Sequence, residues 1–138
     1  MTRIYLPLNA AGLRELSSSG VVQGAPLTAH AVTSAVQASA PDAVQDDWEY
    51  AALHDAAETS AALLTAGESR RIVAAADVPS DTVGPAAAAG TGPESAVSIS
   101  KPVALKRIAS FQVDGDNPDD DDLLWYDVTE LPVVLDLL

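Results

Sequence analysis

The chain has 138 residues, enough for one domain with a real core; 48% of them are apolar but only 4% are aromatic. Seven basic against twenty acidic residues give a formal charge of -13, which repels phosphate backbones and anionic lipid heads and argues against nucleic-acid and membrane partners. No cysteine is present, so disulfides, thiolate nucleophiles and cysteine-ligated metals are excluded.

The location of the protein is predicted from its apolar runs. The first residues, MTRIYLPLNAAGL, lack the pattern of a secretory signal peptide. No apolar run approaches the ~20 residues that span a bilayer. We therefore expect a cytoplasmic protein.

The first third of the chain predicts two short strands, each followed by a helix. RIYLPL predicts a strand that ends near Pro7, and Asn9 is placed to cap a helix that closes at Gly20. LTAHAVT predicts the second strand. Thr33 then caps a short helix, SAVQASA, that stops before Pro41.

A long helix is the clearest predicted element, beginning near Asp42 and ending at Gly67. Asp42 lies three residues before Gln45, the spacing of a capping box. Apolar residues recur at intervals of three and four, which places them on one helical face. That face, predicted to pack on the core, consists of Tyr50, Leu53, Ala57, Ala61 and Leu64.

Three further strands are predicted after this helix, in RRIVAAADVP, AVSIS and LKRIASFQVD. The Gly/Ala/Pro-rich stretch at about 80–95 predicts a mobile surface loop, because it has almost no large apolar side chain to bury. LLWYDVTEL predicts a final helix or a turn-rich segment. Together the elements predict one α/β domain over residues 1–138, a mixed sheet of four to five strands with helices packed on it. A ferredoxin-like α+β sandwich is the alternative.

Several short blocks of the chain, taken in order, resemble a family of proteins. The blocks are APLTAHAVT, DDWEYAALHDAA, RRIVAAADVP, LKRIASFQVD and LLWYDVTELP. The family they resemble is an uncharacterised domain of unknown function, found in short acidic proteins of actinobacteria. This resemblance implies a cytoplasmic single domain, and it implies no activity, ligand or catalytic residue.

Six aspartates within residues 114–122 raise the question of a calcium site. An EF-hand loop that began at Asp114 would need glycine at its sixth position and a bidentate glutamate at its twelfth. The chain has Asp119 and Trp125 there. We therefore predict an acidic linker at 114–122, with no metal site and no cofactor.

Asp77, His30 and Asn9 are the candidate catalytic residues. If the first, third and fifth strands ran parallel, Asn9, Asp77 and Asp114 would share the edge where open α/β sheets bind ligands. His30 could serve as a base only if a carboxylate approached it. A small-ligand or metal-dependent enzyme centred on Asp77 is therefore the alternative function, although no phosphate-binding glycine motif is present.

The C-terminal segment predicts a binding surface. From Gln112 to Leu138 there are nine acidic residues and no lysine or arginine. Tryptophan and tyrosine beside leucines are typical of interface hot spots, although the segment could instead dock on its own sheet. The favoured function is a noncatalytic interaction module that binds a protein partner or a second copy of itself. Its candidate partner-binding residues are Trp125, Tyr126, Leu135 and Leu138.

Overall fold

The computed structural model of the protein describes residues 1–86, 93–117 and 122–138. The strands are β1 (Thr2–Leu8), β2 (Val21–Val22), β3 (Leu27–His30), β4 (Ile72–Val78), β5 (Val83–Pro85), β6 (Ala96–Ile99), β7 (Val103–Ala104), β8 (Ile108–Asp114) and β9 (Leu123–Asp127). The helices are α1 (Ala10–Ser19), α2 (Ser34–Ser39), α3 (Gln45–Leu63) and α4 (Leu131–Asp136). Three 3₁₀ turns cover Ser80–Thr82, Leu105–Arg107 and Val128–Glu130.

Seven strands form one sheet in the order β5-β6-β3-β1-β4-β8-β9, and β2 and β7 form a separate pair. Every neighbouring pair of strands is antiparallel. The prediction of a single α/β domain is confirmed. The predicted four to five strands of mixed direction are wrong, because short strands extend the sheet to seven and each neighbour reverses direction. The ferredoxin-like alternative is wrong as well, because helices cover both faces of this larger sheet.

The two faces of the sheet carry cores of different character. Even-numbered residues of β1, such as Ile4 and Leu6, lie in the larger core with Phe111 and with the inner sides of α1 and α4. Tyr5 faces the other way, into a smaller core beneath α3 that is built mainly of alanine. The alternation of side chains along β1 therefore divides the domain into three layers.

The predicted caps of the two N-terminal helices are confirmed. The Asn9 side chain accepts a hydrogen bond of 2.8 Å from the Gly12 N–H, and that of Thr33 accepts one of 3.1 Å from the Val36 N–H. Gly20 closes α1 with φ of +77°, a left-handed conformation that suits glycine.

The start of α3 differs from the prediction. The helix begins at Gln45 after Val44, so Asp42 lies outside it and the predicted capping box at Asp42 is wrong. Asp47 supplies the cap instead, since its carboxylate accepts a hydrogen bond of 3.4 Å from the Val44 N–H. The helix also ends at Leu63, before the predicted stop at Gly67.

The buried face of α3 is also shifted from the predicted one. Its buried residues are small ones, namely Ala52, Ala56, Ala57 and Ser60. Tyr50 is 57% exposed and Ala61 is exposed, while Leu53 and Leu64 are only partly buried. Small side chains lie inward because the opposing strand β4 also presents Ala75, and this contact leaves room only for short groups.

The C-terminal segment forms a strand where a helix or turns were predicted. Leu123–Asp127 is β9, which pairs with β8 and places Trp125 opposite Gln112. A helix, α4, follows only after a 3₁₀ turn, with a proline in its first turn. Pairing with β8 decides the outcome, because branched and aromatic side chains suit a strand as well as they suit a helix end.

The two predicted irregular segments are partly described. Of the predicted loop at about 80–95, Ser80–Thr82 form a 3₁₀ turn and Val83–Pro85 form β5, which pairs with β6 as an outer strand. Residues 87–92 lie outside the described part of the chain. Of the predicted acidic linker, Asp114 is the last residue of β8, and residues 118–121 likewise lie outside the described part.

The shifted face of α3 can be tested with one substitution at two positions. Ala56 is fully buried against the sheet, so the larger leucine side chain must displace the neighbouring atoms. Ala56→Leu should therefore lower the free energy of unfolding by ~1–3 kcal/mol. Ala61→Leu places the same side chain in solvent and should change stability little. Urea melts of the two variants decide between the faces, and equal losses would contradict the assignment.

Candidate functional site

The candidate catalytic residues do not converge. Leu8, just before Asn9, pairs with the first residue of β4, whereas Asp77 pairs with Arg3 at the opposite end of the same two strands. His30 lies on β3 opposite Tyr5. The expectation of a shared ligand-binding edge for Asn9 and Asp77 is wrong, because antiparallel neighbours put successive strand ends at opposite edges.

Asn9 and Asp77 both have local partners. Besides capping α1, the Asn9 amide donates a hydrogen bond of 2.9 Å to the Leu63 carbonyl and ties β1 to the end of α3. Asp77 accepts two hydrogen bonds from Arg3, of 2.8 and 2.9 Å, in a bidentate pair. This hydrogen bonding to Arg3 lowers the pKa of Asp77. Both side chains act as local structural contacts.

The first two aspartates of the acidic run bind arginines. Arg71 donates to both carboxylate oxygens of Asp114, at 2.9 and 2.8 Å, and its backbone N–H adds a third hydrogen bond of 2.8 Å. Arg70 contacts Asp116 at 2.5 Å. Burial alone would raise the pKa of Asp114, but the hydrogen bonds and charge of Arg71 outweigh it and hold that pKa below its usual value. The start of the acidic run is therefore bound to the two arginines that directly precede β4, and we call these contacts the arginine clamp.

His30 is buried in a chain of hydrogen-bonded side chains that the sequence did not indicate. Its Nδ1 lies 2.8 Å from Ser95 Oγ, and its Nε2 lies 2.8 Å from Thr59 Oγ1. Ser95 in turn donates a hydrogen bond of 2.8 Å to the Asp55 carboxylate. The chain links β3, α3 and the residue that precedes β6. Its members are up to 65 residues apart, so no local spacing could have indicated them.

The order of groups in this chain fixes the role of the imidazole. Because Ser95 gives its hydroxyl proton to Asp55, the Nδ1 of His30 is the donor to Ser95, and the Thr59 hydroxyl lies between His30 Nε2 at 2.8 Å and the Asp55 backbone carbonyl at 3.1 Å. In a nucleophile triad the carboxylate binds the imidazole, and the imidazole binds the serine. Here the carboxylate binds the serine instead. Ser95 is also fully buried. Burial lowers the pKa of His30, against a smaller opposing effect of the Asp55 charge. The arrangement favours a neutral structural histidine.

Two general features bear on the function. Within the described ranges, no group of three or more histidine, aspartate or glutamate residues is placed to hold a metal ion. The helices in the described part of the chain are too short or too polar to cross a membrane.

The predicted partner-binding residues divide into two groups. Trp125 lies on the outer strand β9 and is 63% exposed, beside Leu124 at 48%. Tyr126, Leu135 and Leu138 are partly buried and pack on the larger core. Across the strand from Trp125, the amide oxygen of Gln112 is buried and has no hydrogen-bond partner among the described residues. Among the predicted partner-binding residues, the exposed aromatic side chain is therefore that of Trp125 on β9.

The cavities on the described surface include two of about 350 Å³ or more. One, of about 370 Å³, lies between the start of α1 and the C-terminal leucines, where Glu68 accepts a hydrogen bond of 2.8 Å from the Ala10 N–H. The other, of about 350 Å³, lies where β4, β6 and β8 meet their connecting turns. Its lining includes three cations, Lys101, Lys106 and Arg107. Sequence reasoning missed this cluster, although the adjacent Lys-Arg pair in an acidic chain was a signal for it.

The fold and these surfaces define a three-layer α/β domain on an antiparallel seven-stranded sheet, with one outer strand that displays a tryptophan. Residues 2–120 match a family of unknown function (DUF6912), and the chain belongs to that family. The expected membership of an uncharacterised domain family is thus confirmed, and the actinobacterial source stays a prediction. Searches of curated proteins and of solved structures gave no match.

The arginine clamp generates a test with a built-in control. Asp114→Asn should lower the free energy of unfolding by ~1–3 kcal/mol, because it removes the negative charge that pairs with the largely buried Arg71 guanidinium. Asp116→Asn changes a side chain that is 91% exposed and should leave stability close to that of the parent protein. Thermal and urea melts of both variants give the comparison. An Asp114→Asn variant as stable as the parent protein would show that its ion pair with Arg71 contributes nothing to the fold.

The buried histidine predicts a pH dependence of stability. Because the pKa of His30 is lower in the folded protein, the unfolded chain takes up the proton first as pH falls below about 6.5. The stabilisation is therefore complete above that pH and is lost as pH falls through the folded pKa. His30→Gln should flatten the slope of unfolding free energy against pH between 7 and 5. A His30→Gln slope equal to the parent slope would contradict the effect.

Proposed function

We propose that this protein is a noncatalytic interaction module that binds an extended, basic segment of a partner protein along strand β9. The observation that carries the proposal is the 63% exposure of Trp125 on an outer strand of the sheet. A chain with only two tryptophans and one phenylalanine has few large side chains for its core. Leaving one of them in solvent costs apolar burial, and a partner that covers it would recover that burial.

The backbone of β9 supports strand addition. The Asp127 N–H donates to Glu130 at 2.9 Å, outside the ladder with β8. Since backbone groups in an antiparallel ladder alternate between the two sides, the N–H and C=O of Trp125 then point away from β8 as well. Such outward groups on an outer strand pair readily with another extended chain. The side chain and the backbone of Trp125 would thus engage the same partner.

The charge around β9 favours a basic partner over a second copy. The segment from Gln112 to Leu138 carries nine acidic residues and no basic one. Two copies paired through β9 would bring these segments together, with -13 formal charges on each chain. A strand that carries lysine or arginine would neutralise them and could place a cation over the Trp125 ring. We therefore assign β9 to a partner protein.

The segment that matches the family does not include the proposed binding strand. It ends at residue 120, so β9 and α4 lie beyond the matched segment. Binding through β9 would accordingly be a property of this chain that membership of the family does not by itself supply. We also propose that the module acts in the cytoplasm, where so strong a negative charge favours solubility.

A defined peptide tests the proposal. A fluorescein-labelled peptide of alternating lysine and valine should raise its anisotropy with the protein, and the binding should weaken as salt rises. A peptide of alternating glutamate and valine should not bind. In a Trp48→Phe background, Trp125 is the single tryptophan, and its emission should shift to shorter wavelength on binding.

Two variants separate the backbone of Trp125 from its side chain. Trp125→Pro removes the outward N–H and should weaken peptide binding at least ~10-fold, while the ladder to β8 stays intact. Trp125→Thr keeps the strand and should weaken binding a few-fold. Unchanged binding in both variants would exclude β9. Light scattering that showed a dimer of the parent protein and a monomer of Trp125→Pro would instead make the partner a second copy.

A further inference from the structure

The cavity of about 350 Å³ has the composition of a small-ligand site. Its walls include apolar groups from the ends of the buried strands, among them Val78, Ile99 and Val103. Lys101 comes from the turn after β6, and Lys106 and Arg107 come from the 3₁₀ turn before β8. Apolar walls with a few convergent charged groups are typical of pockets for small molecules, and this volume lies at the small end of their range.

These cations differ from three of the other four basic residues in their partners; the fourth, Arg14, likewise has no ion pair among the described residues. Arg3, Arg70 and Arg71 each bind an aspartate at 2.8 Å or less. Lys101, Lys106 and Arg107 have no carboxylate within ion-pair distance among the described residues. With twenty acidic residues in the chain, a pairing carboxylate would be easy to supply. Three of its seven basic residues instead lie around one cavity, without an ion pair to any residue that the structure describes.

The electrostatic energy of an anion in this cavity depends mainly on the nearest charges and much less on the net charge of the chain. Charges beyond a Debye length of about 8–10 Å are largely screened at physiological ionic strength. Inside the cavity an anion would meet three cations against the single carboxylate of Asp81. Lysine supplies point charges and arginine a planar fork that suits a phosphate or carboxylate group. The surrounding acidic surface would at the same time exclude long polyanions.

We propose that this cavity binds the phosphate group of a small phosphorylated metabolite, held by Lys101, Lys106 and Arg107. The apolar wall formed by Val78 and Ile99 would contact the organic part of the ligand. The proposal is independent of strand β9, since none of the cavity residues belongs to the C-terminal segment. It concerns only residues within the segment matched by the family.

Amide chemical shifts of the labelled protein test the site. Inorganic phosphate and glycerol 3-phosphate are titrated separately at constant ionic strength, with chloride as the balancing anion. Both should shift the amides of residues 99–108 in a saturable manner, and glycerol 3-phosphate should bind at least as tightly as inorganic phosphate. Citrate, a polycarboxylate of higher negative charge, should still bind at least ~5-fold more weakly than glycerol 3-phosphate.

Substitutions locate the binding. Replacing Lys101, Lys106 and Arg107 together by glutamine should weaken glycerol 3-phosphate binding at least ~10-fold, and Lys101→Gln alone should weaken it a few-fold if the triple variant does not fold. Arg14→Gln removes a basic residue from the other cavity and should leave binding unchanged. Shifts without saturation, equal shifts with chloride, tighter binding of citrate, or undiminished binding in the cavity variants would each overturn the proposal.

Discussion

The close contact between α3 and the middle of the sheet is the interaction on which the other layers of the domain depend. Ala52, Ala56 and Ala57 of the helix face a strand that itself reads Ile-Val-Ala-Ala-Ala. Ser60 completes the contact at one end. Its hydroxyl donates to the Leu8 carbonyl at 2.6 Å and accepts from the Ile72 N–H at 2.9 Å. One buried side chain thus joins α3 to both central strands, and it leaves neither backbone group unpaired.

This alanine interface explains where the large side chains are. Apart from Tyr5, the large buried side chains lie on the opposite face, where Phe111, Leu13 and Leu16 pack with the inner residues of α4. Tyr50 and Trp125 then have no core position and stay largely in solvent. Trp125 is therefore exposed because neither core has a buried position for it. A partner that covered its side chain would bury apolar surface that the domain itself leaves in solvent.

Much of the secondary structure could be predicted because its determinants are local. Asn9, Thr33 and Gly20 act at the helix ends where their side chains or backbone preferences place them. The face of α3 could not be predicted in this way. Alanine lies on every side of that helix, so hydrophobic periodicity carries little information, and the larger Tyr50 and Leu53 gave a misleading stripe.

Strand direction and the candidate sites could not be predicted from neighbouring residues, because they depend on contacts between distant segments. Asn9 and Asp77 were expected together because parallel strands were assumed, and direction is set by pairing between distant segments. The partners of His30 and the cations of the 350 Å³ cavity likewise come from separate parts of the chain. The proposed binding residues on β9 were named from composition alone, and their placement on an outer strand required the pairing of β8 with β9.

The two outer strands have unequal consequences for assembly. At one end of the sheet β5 has three residues and finishes in Pro85, and its shortness and its proline both discourage a further strand. At the other end β9 is longer and carries no proline. A fibril that grew by head-to-tail strand addition would need both ends to accept a neighbour. Because β5 disfavours a neighbour, strand addition at β9 would stop after one partner, and the domain could expose β9 with little tendency to polymerise.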